Sequence, residues 1–111
     1  MAITSEAFNS TNTGSITSPE RIISAGAGNF DLSTGQNWTV GAIDIPQPTS
    51  GVAGQSGLIR VTAAPTSWPS GGALKYPGGS APALTSFPAV IPFYVQDASN
   101  VLLGTPAEGI S

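Results

Sequence analysis

The sequence predicts an all-β fold, either a small antiparallel β-sandwich or a jelly-roll-like barrel, with an extended N-terminal arm. The first observation is the frequency of Gly and Pro, which supply 14 and 10 of the 111 residues. After residue 14, the longest stretch free of both runs from residue 93 to residue 103. That is about the length of one mean helix, and it contains a turn cluster at residues 97–100. The second observation is a series of short β-branched and aromatic runs with regular turn signals, which is typical of sandwiches and barrels.

We expect two parts in the chain, an extended arm over residues 1–20 and a single β domain over residues 21–111. The arm is dominated by Ser, Thr and Asn, with Phe8 and Ile16 as isolated apolar residues. Such a segment gains order mainly by lying on a partner. The initial Met suggests a complete small gene product, and the N-terminus lacks the basic and apolar regions of a signal peptide. No run approaches 18 apolar residues, so the sequence predicts no membrane-spanning helix.

The first half of the domain contains three predicted strands. Residues 21–24 are short and β-branched, and they end at a Gly-rich break. Residues 29–33 alternate, with Phe30 and Leu32 on one side, before the chain turns at Gly35. Residues 38–45 form a longer apolar run that ends at a proline.

The second half contains the cleanest strand, residues 58–63, which we expect at the centre of a sheet. Residues 74–76 form a brief strand. Residues 90–95 are interrupted by Pro92, which lacks a ladder donor and is therefore expected at an edge strand or a bulge. This segment is predicted to pair with residues 101–103 in a hairpin that Asp97 starts through an Asx hydrogen bond.

The composition excludes several classes of function. The chain has no Cys and no His, so the usual zinc, iron–sulfur and haem sites cannot be built. Disulfides are impossible, and nucleophile pairs with a His base are absent. The net charge is −3, and the three basic residues are scattered, so no basic stripe is present to bind nucleic acid.

The remaining acid–base groups do not form a recognisable catalytic pattern. Asp97 suits a turn, and Asp31 and Asp44 lie in predicted strands, where an outward-facing carboxylate is the simplest interpretation. The Gly-rich segments lack the spacing of dinucleotide or phosphate loops and are expected to be turns. We therefore expect no enzyme activity, no cofactor and no metal site. The six carboxylates considered are Glu6, Glu20, Asp31, Asp44, Asp97 and Glu108.

Two aromatic residues next to prolines leave two interpretations open. Trp68 and Tyr76 are followed by Pro69 and Pro77, so they are held rigidly and could form a sugar-binding platform. Alternatively, they are buried in a thin core. Lys75 is expected on a solvated face or at a contact between subunits.

Several short sequence segments, in a matching order, resemble a small β module of tailed-bacteriophage virion proteins. The module occurs in capsid decoration (cement) and tail-fibre components, notably of phages that infect cyanobacteria. The resemblance covers about residues 28–104, and its most specific part is the Pro-Gly-Gly-x-Ala-Pro-x-Leu-Thr stretch. The segments that carry it are residues 29–38, 54–62, 68–69, 74–85 and 92–95.

The resemblance implies a β-sandwich building block without catalytic residues. Our leading hypothesis is a decoration protein on the outer capsid surface, bound to the major capsid protein and to copies of itself as a homotrimer, without nucleic acid or membrane. The alternative is a tail-fibre or adhesin component that binds host surface glycan. The candidate interface residues are Phe8, Ile16, Trp68, Lys75 and Tyr76.

Overall fold

The computed structural model describes residues 19–110, and their six strands form one mixed sheet. Its order is β1-β2-β3-β5-β6-β4. Two short 3-10 turns, Leu32–Thr34 and Pro77–Gly79, are the other regular elements within this range. The strands are β1 (Glu20–Ile22), β2 (Asn37–Val40), β3 (Ser56–Val61), β4 (Leu74–Lys75), β5 (Ala89–Asp97) and β6 (Asn100–Leu103).

The all-β class is confirmed, whereas the expected antiparallel arrangement is wrong for three of the five strand pairings. β1 with β2, β2 with β3, and β4 with β6 pair in parallel. Parallel neighbours need a crossover of about a dozen or more residues. The segments 23–36 and 41–55 are long enough to supply it without a helix. All six strands of the described region belong to the same sheet.

The crossover loops form the second layer of the domain. They carry Phe30, Leu32 and Ile45 onto one face of the sheet, where all three side chains are buried. The strands supply the rest of the core by alternation, since side chains of period two share one face. Trp38 joins the layers, because its ring meets that of Phe30 edge to face with centroids 5.0 Å apart. Gly- and Pro-rich loops therefore cover the sheet where a sandwich would place a second sheet.

The first predicted strands needed correction. Residues 32–34 form a 3-10 turn in place of a strand, because the Asp31 side chain caps the start of the turn by accepting from the Ser33 backbone N–H at 2.9 Å. The run from residue 38 stays in the sheet only to Val40. Asp31 and Asp44 lie at isolated bridges, opposite Thr49 and Ser67, in place of regular strands.

The central strand and the closing hairpin are confirmed. β3 lies between β2 and β5. β5 and β6 pair in antiparallel fashion around a tight turn. Asp97 Oδ1 accepts hydrogen bonds from the Ser99 backbone N–H at 2.8 Å and from Asn100 Nδ2 at 3.0 Å. This is the Asx geometry that the sequence predicted.

The expectation that Pro92 occupies an edge strand or a bulge is wrong. Pro92 lies inside β5, which has neighbours on both sides, and the register shift of the hairpin is further along, between Val95 and Asp97. The absence of a backbone N–H donor at Pro92 is tolerated because β6 ends at Leu103. The Pro92 carbonyl accepts from the Gly104 N–H at 2.8 Å just beyond that end. A Cβ at Gly104 would lie 2.8 Å from the Pro92 ring, so glycine suits this close approach.

The described residues test the predicted N-terminal arm only at the boundary between the arm and the β domain. Glu20, which we placed last in the arm, is the first residue of β1. Phe8, Ile16 and the rest of residues 1–18 lie outside the described residues. Within residues 19–110, no helix is long and apolar enough to cross a membrane.

Candidate interaction surface

One face of the sheet is apolar yet exposed. Strand alternation buries Ile59, Val61 and Ile91 under the loops and turns their sequence neighbours to the opposite side. We call that side the outer face. The most exposed of its apolar residues is Ile22, at 71%, and Tyr94, Leu58 and Leu102 are 51%, 47% and 38% exposed. The outer face is defined by Ile22, Leu58, Val90, Pro92, Tyr94 and Leu102.

Strand register makes the centre of the outer face continuous. Leu58 lies opposite Pro92 on the neighbouring strand, and Tyr94 lies opposite Leu102. Pro92 and Tyr94 are two residues apart on β5, so they point to the same side. Directly opposite residues have Cβ atoms about 4.5–5.5 Å apart, which places the four side chains in one patch. Monomeric soluble proteins seldom leave such patches without a role.

Three charged side chains of the outer face lie around this patch. Arg60 on β3 reaches over β2 to Glu20 on β1, with Nε and Nη2 donating to the two carboxylate oxygens at 2.8 and 2.7 Å. This hydrogen bond lowers the pKa of Glu20 and raises that of Arg60. Lys75, beside Leu102 on the β4 edge, donates its Nζ to the Gly72 carbonyl at 2.7 Å. The patch formed by Leu58, Pro92, Tyr94 and Leu102 therefore contains no charged side chain.

Trp68 and Tyr76, the predicted aromatic candidates, meet each other away from the outer face. Their rings contact edge to face with centroids 6.2 Å apart. Both are half-buried and pack against the core. The Tyr76 hydroxyl donates to the Pro69 carbonyl, and burial raises the Tyr76 pKa to about 12. These contacts hold Trp68 and Tyr76 together within the loop layer. The role of the two residues at an interface stays a prediction.

A groove lies along the β1 edge of the sheet, beside the first crossover. It has a volume of about 530 Å³ and is lined by polar side chains of β1 and the first crossover. Trp38 also lines it, and within residues 19–110 its buried Nε1–H has no hydrogen-bond acceptor. Hydrogen bonds from Ser33 lower the pKa of Asp31, which keeps that carboxylate ionised. The residues that give the groove its polar character are Glu20, Arg21, Asn29, Asp31 and Thr34.

The other carboxylates act as local ties. Asp44 accepts a hydrogen bond from Ser67 Oγ at 2.9 Å. Glu108 accepts from the backbone N–H groups of Thr85 and Ser86 at 2.7 and 3.2 Å, which lowers its pKa. Across the described part of the chain, no three acidic residues come together in a way that would hold a metal ion.

The sequence did contain a signal for the outer face that strand prediction passed over. Adjacent apolar residues on one strand, such as Leu58 with Ile59 and Leu102 with Leu103, must point to opposite faces. Continuous apolar runs are typical of strands that are covered on both sides. Within residues 19–110, the loops cover one of the two faces.

Searches of family models, curated proteins and solved structures give no match to the chain.

Proposed function

We propose that the chain is a structural protein of a tailed-phage virion, a decoration (cement) protein on the outer surface of the capsid. The observation that carries this proposal is the exposed apolar outer face, whose patch of Leu58, Pro92, Tyr94 and Leu102 suits contact with protein. The resemblance of residues 28–104 to virion modules supports the same assignment.

The proposal gives each part of the chain a role in assembly. The partners are the major capsid protein and copies of the chain itself, arranged as a homotrimer. The segment before β1, residues 1–19, lies across neighbouring capsid subunits, with Phe8 and Ile16 as its apolar contacts. A β-sandwich is completed when a second layer covers the outer face of the sheet, since the loops already cover the other face.

Binding to capsid shells tests this function. Expanded shells of the phage that encodes the chain are prepared without it and mixed with the purified full-length protein. Co-sedimentation and a higher melting temperature of the shells are expected. Shells that neither retain the protein nor gain thermal stability contradict the proposal. A virion reconstruction that places the chain on the tail also contradicts it.

The second candidate is a tail-fibre or adhesin component that binds host surface glycan. The groove at the β1 edge favours it, because its 530 Å³ falls within the usual range of ligand sites and its lining offers several hydrogen-bonding groups. Arg21→Gln removes the cation of that groove and should weaken binding to host cells or purified glycan. Lys75→Gln, on the opposite sheet edge, is the matched control. Equal glycan binding by both variants and the wild type argues against the groove.

A further inference from the structure

We propose that the outer face is the surface through which copies of this chain pack against one another. The inference rests on the proposed function, because it names one contact between the copies that assemble on the shell. The patch is formed by Leu58, Pro92, Tyr94 and Leu102, with Val90 beside it and Ile22 towards the β1 edge.

The first argument is the shape of the sheet. Strands twist with a fixed hand, and two sheets pack face to face when their twists match, with mean strand directions about 30° apart. A second copy presents the same sheet with the same twist. It therefore supplies a matching surface at the usual spacing of about 10 Å between packed sheets.

The second argument is charge. The central patch has no charged side chain. Around it, Glu20 and Arg60 neutralise each other through two hydrogen bonds, and Lys75 beside Leu102 donates its Nζ to the Gly72 carbonyl. Two such patches therefore meet without placing charged side chains against each other at their centre. An acidic or basic partner would find no complementary field at the centre of this face.

The third argument is area. The six strands contain 28 residues. At a rise of about 3.3 Å per residue and a spacing of about 4.8 Å between strands, they give roughly 440 Å² of face per chain in plan. Two faces therefore approach the ~1,000 Å² that a specific interface needs. This is the lower end of the range, so we expect association that depends on protein concentration.

Mass measurement over a concentration series tests the inference. Sedimentation equilibrium of the full-length protein, from low micromolar to near-millimolar, should show a mass that rises towards that of two chains, because packing of one outer face on another closes at two copies. Leu58→Glu and Tyr94→Glu place a charge in the patch and should hold the protein at the mass of one chain. Val52→Glu is the matched control, because Val52 is 68% exposed in the second crossover and lies outside the outer face.

Cross-linking supplies a second measurement that does not depend on changing the charge. The chain has no cysteine, so each single-cysteine variant reports one position. Under mild oxidation, Leu58→Cys and Tyr94→Cys should give covalent dimers, whereas Val52→Cys should give far fewer. Circular dichroism of each variant at low concentration confirms that it is folded.

Three results overturn the inference. The first is a wild-type mass of one chain at every concentration, and the second is association that Leu58→Glu and Tyr94→Glu leave intact. The third is a monomeric wild type whose binding to shells is lost in these variants, because the capsid then covers the outer face. In that third case the decoration function stands. Conversely, copies that associate through this face but never bind shells contradict the function and leave the inference intact.

Discussion

Single glycines in this domain mark places where the backbone passes close to another group. Gly57, in β3, is the clearest of them. The Gln36 carbonyl, which accepts from the Leu58 N–H, passes directly over its Cα. A Cβ built at Gly57 would lie 1.7 Å from that carbonyl oxygen and 2.9 Å from the Phe93 ring. Any side chain here must push β2 and β3 apart.

Gly57→Ala should therefore be strongly destabilising. Overpacking costs about 1–3 kcal/mol and occasionally more, and we expect a loss of at least ~3 kcal/mol because the clash is with backbone. Gly41→Ala is the control, since its Cβ would make only an ordinary contact at 3.5 Å with Thr62 Oγ1. Urea unfolding followed by tryptophan fluorescence measures both variants. Equal stability of the two would show that β2 moves aside without cost.

Among the elements, those defined by local chemistry were predictable from sequence. The hairpin of β5 and β6 follows from Asp97 and its Asx turn, and most of β3 follows from residues 58–63, an apolar run without Gly or Pro. Parallel pairing was not predictable in this way. Which strands become neighbours depends on contacts between distant residues, and the crossovers lack the helix that usually signals parallel strands.

The candidate interaction surface was likewise predictable from the sequence only in part. Leu58 and Leu102 were visible as apolar strand residues, yet only the register shows that they share a patch with Pro92 and Tyr94. Trp68 and Tyr76 stand out in the sequence because each precedes a proline. Sequence alone left their burial open because it depends on how the loops between β3 and β5 fold over the core.

The C-terminal tail is held to the loop before β5 by Glu108, and this tie should make stability depend on pH. Its folded-state pKa is lowered from the ordinary 4.5, chiefly by the hydrogen bond from the Thr85 backbone. A carboxylate whose pKa is lower in the folded protein than in the unfolded chain stabilises the fold at pH values above its unfolded-state pKa. That stabilisation is lost as the pH falls through the folded-state pKa.

We accordingly expect the free energy of unfolding to decline as the pH falls below 4.5. Glu20 and Asp31, whose pKa values are also lowered, contribute in the same direction. Glu108→Gln should lower stability at neutral pH and flatten part of this decline, because the amide is neutral throughout. Urea unfolding at a series of pH values measures the free energy of unfolding of the wild type and the variant. A variant whose pH profile parallels that of the wild type would contradict the role of Glu108.

At the scale of the whole molecule, the sheet formed within residues 19–110 has a firm centre and weak edges. β3 and β5 each have two neighbouring strands and contribute Ile59, Val61, Ile91 and Val95 to the core. The edge strands β1 and β4 have three and two residues. Short edges limit unwanted strand addition, but they also open most easily.

Native-state hydrogen exchange should therefore rank the strands from the centre of the sheet outwards. The backbone amides of β3 and β5 that bond to each other should exchange only through global unfolding, because every neighbouring strand must separate first. The Ile23 amide, which donates to the Thr39 carbonyl just beyond β1, should exchange through local opening. Glu20→Gln weakens the contact with Arg60 and should speed exchange at Ile23, with little change at Ile59 or Ile91. Protection at Ile23 equal to that in β3 would mean that β1 opens only with the whole sheet, and would place the weakest element elsewhere.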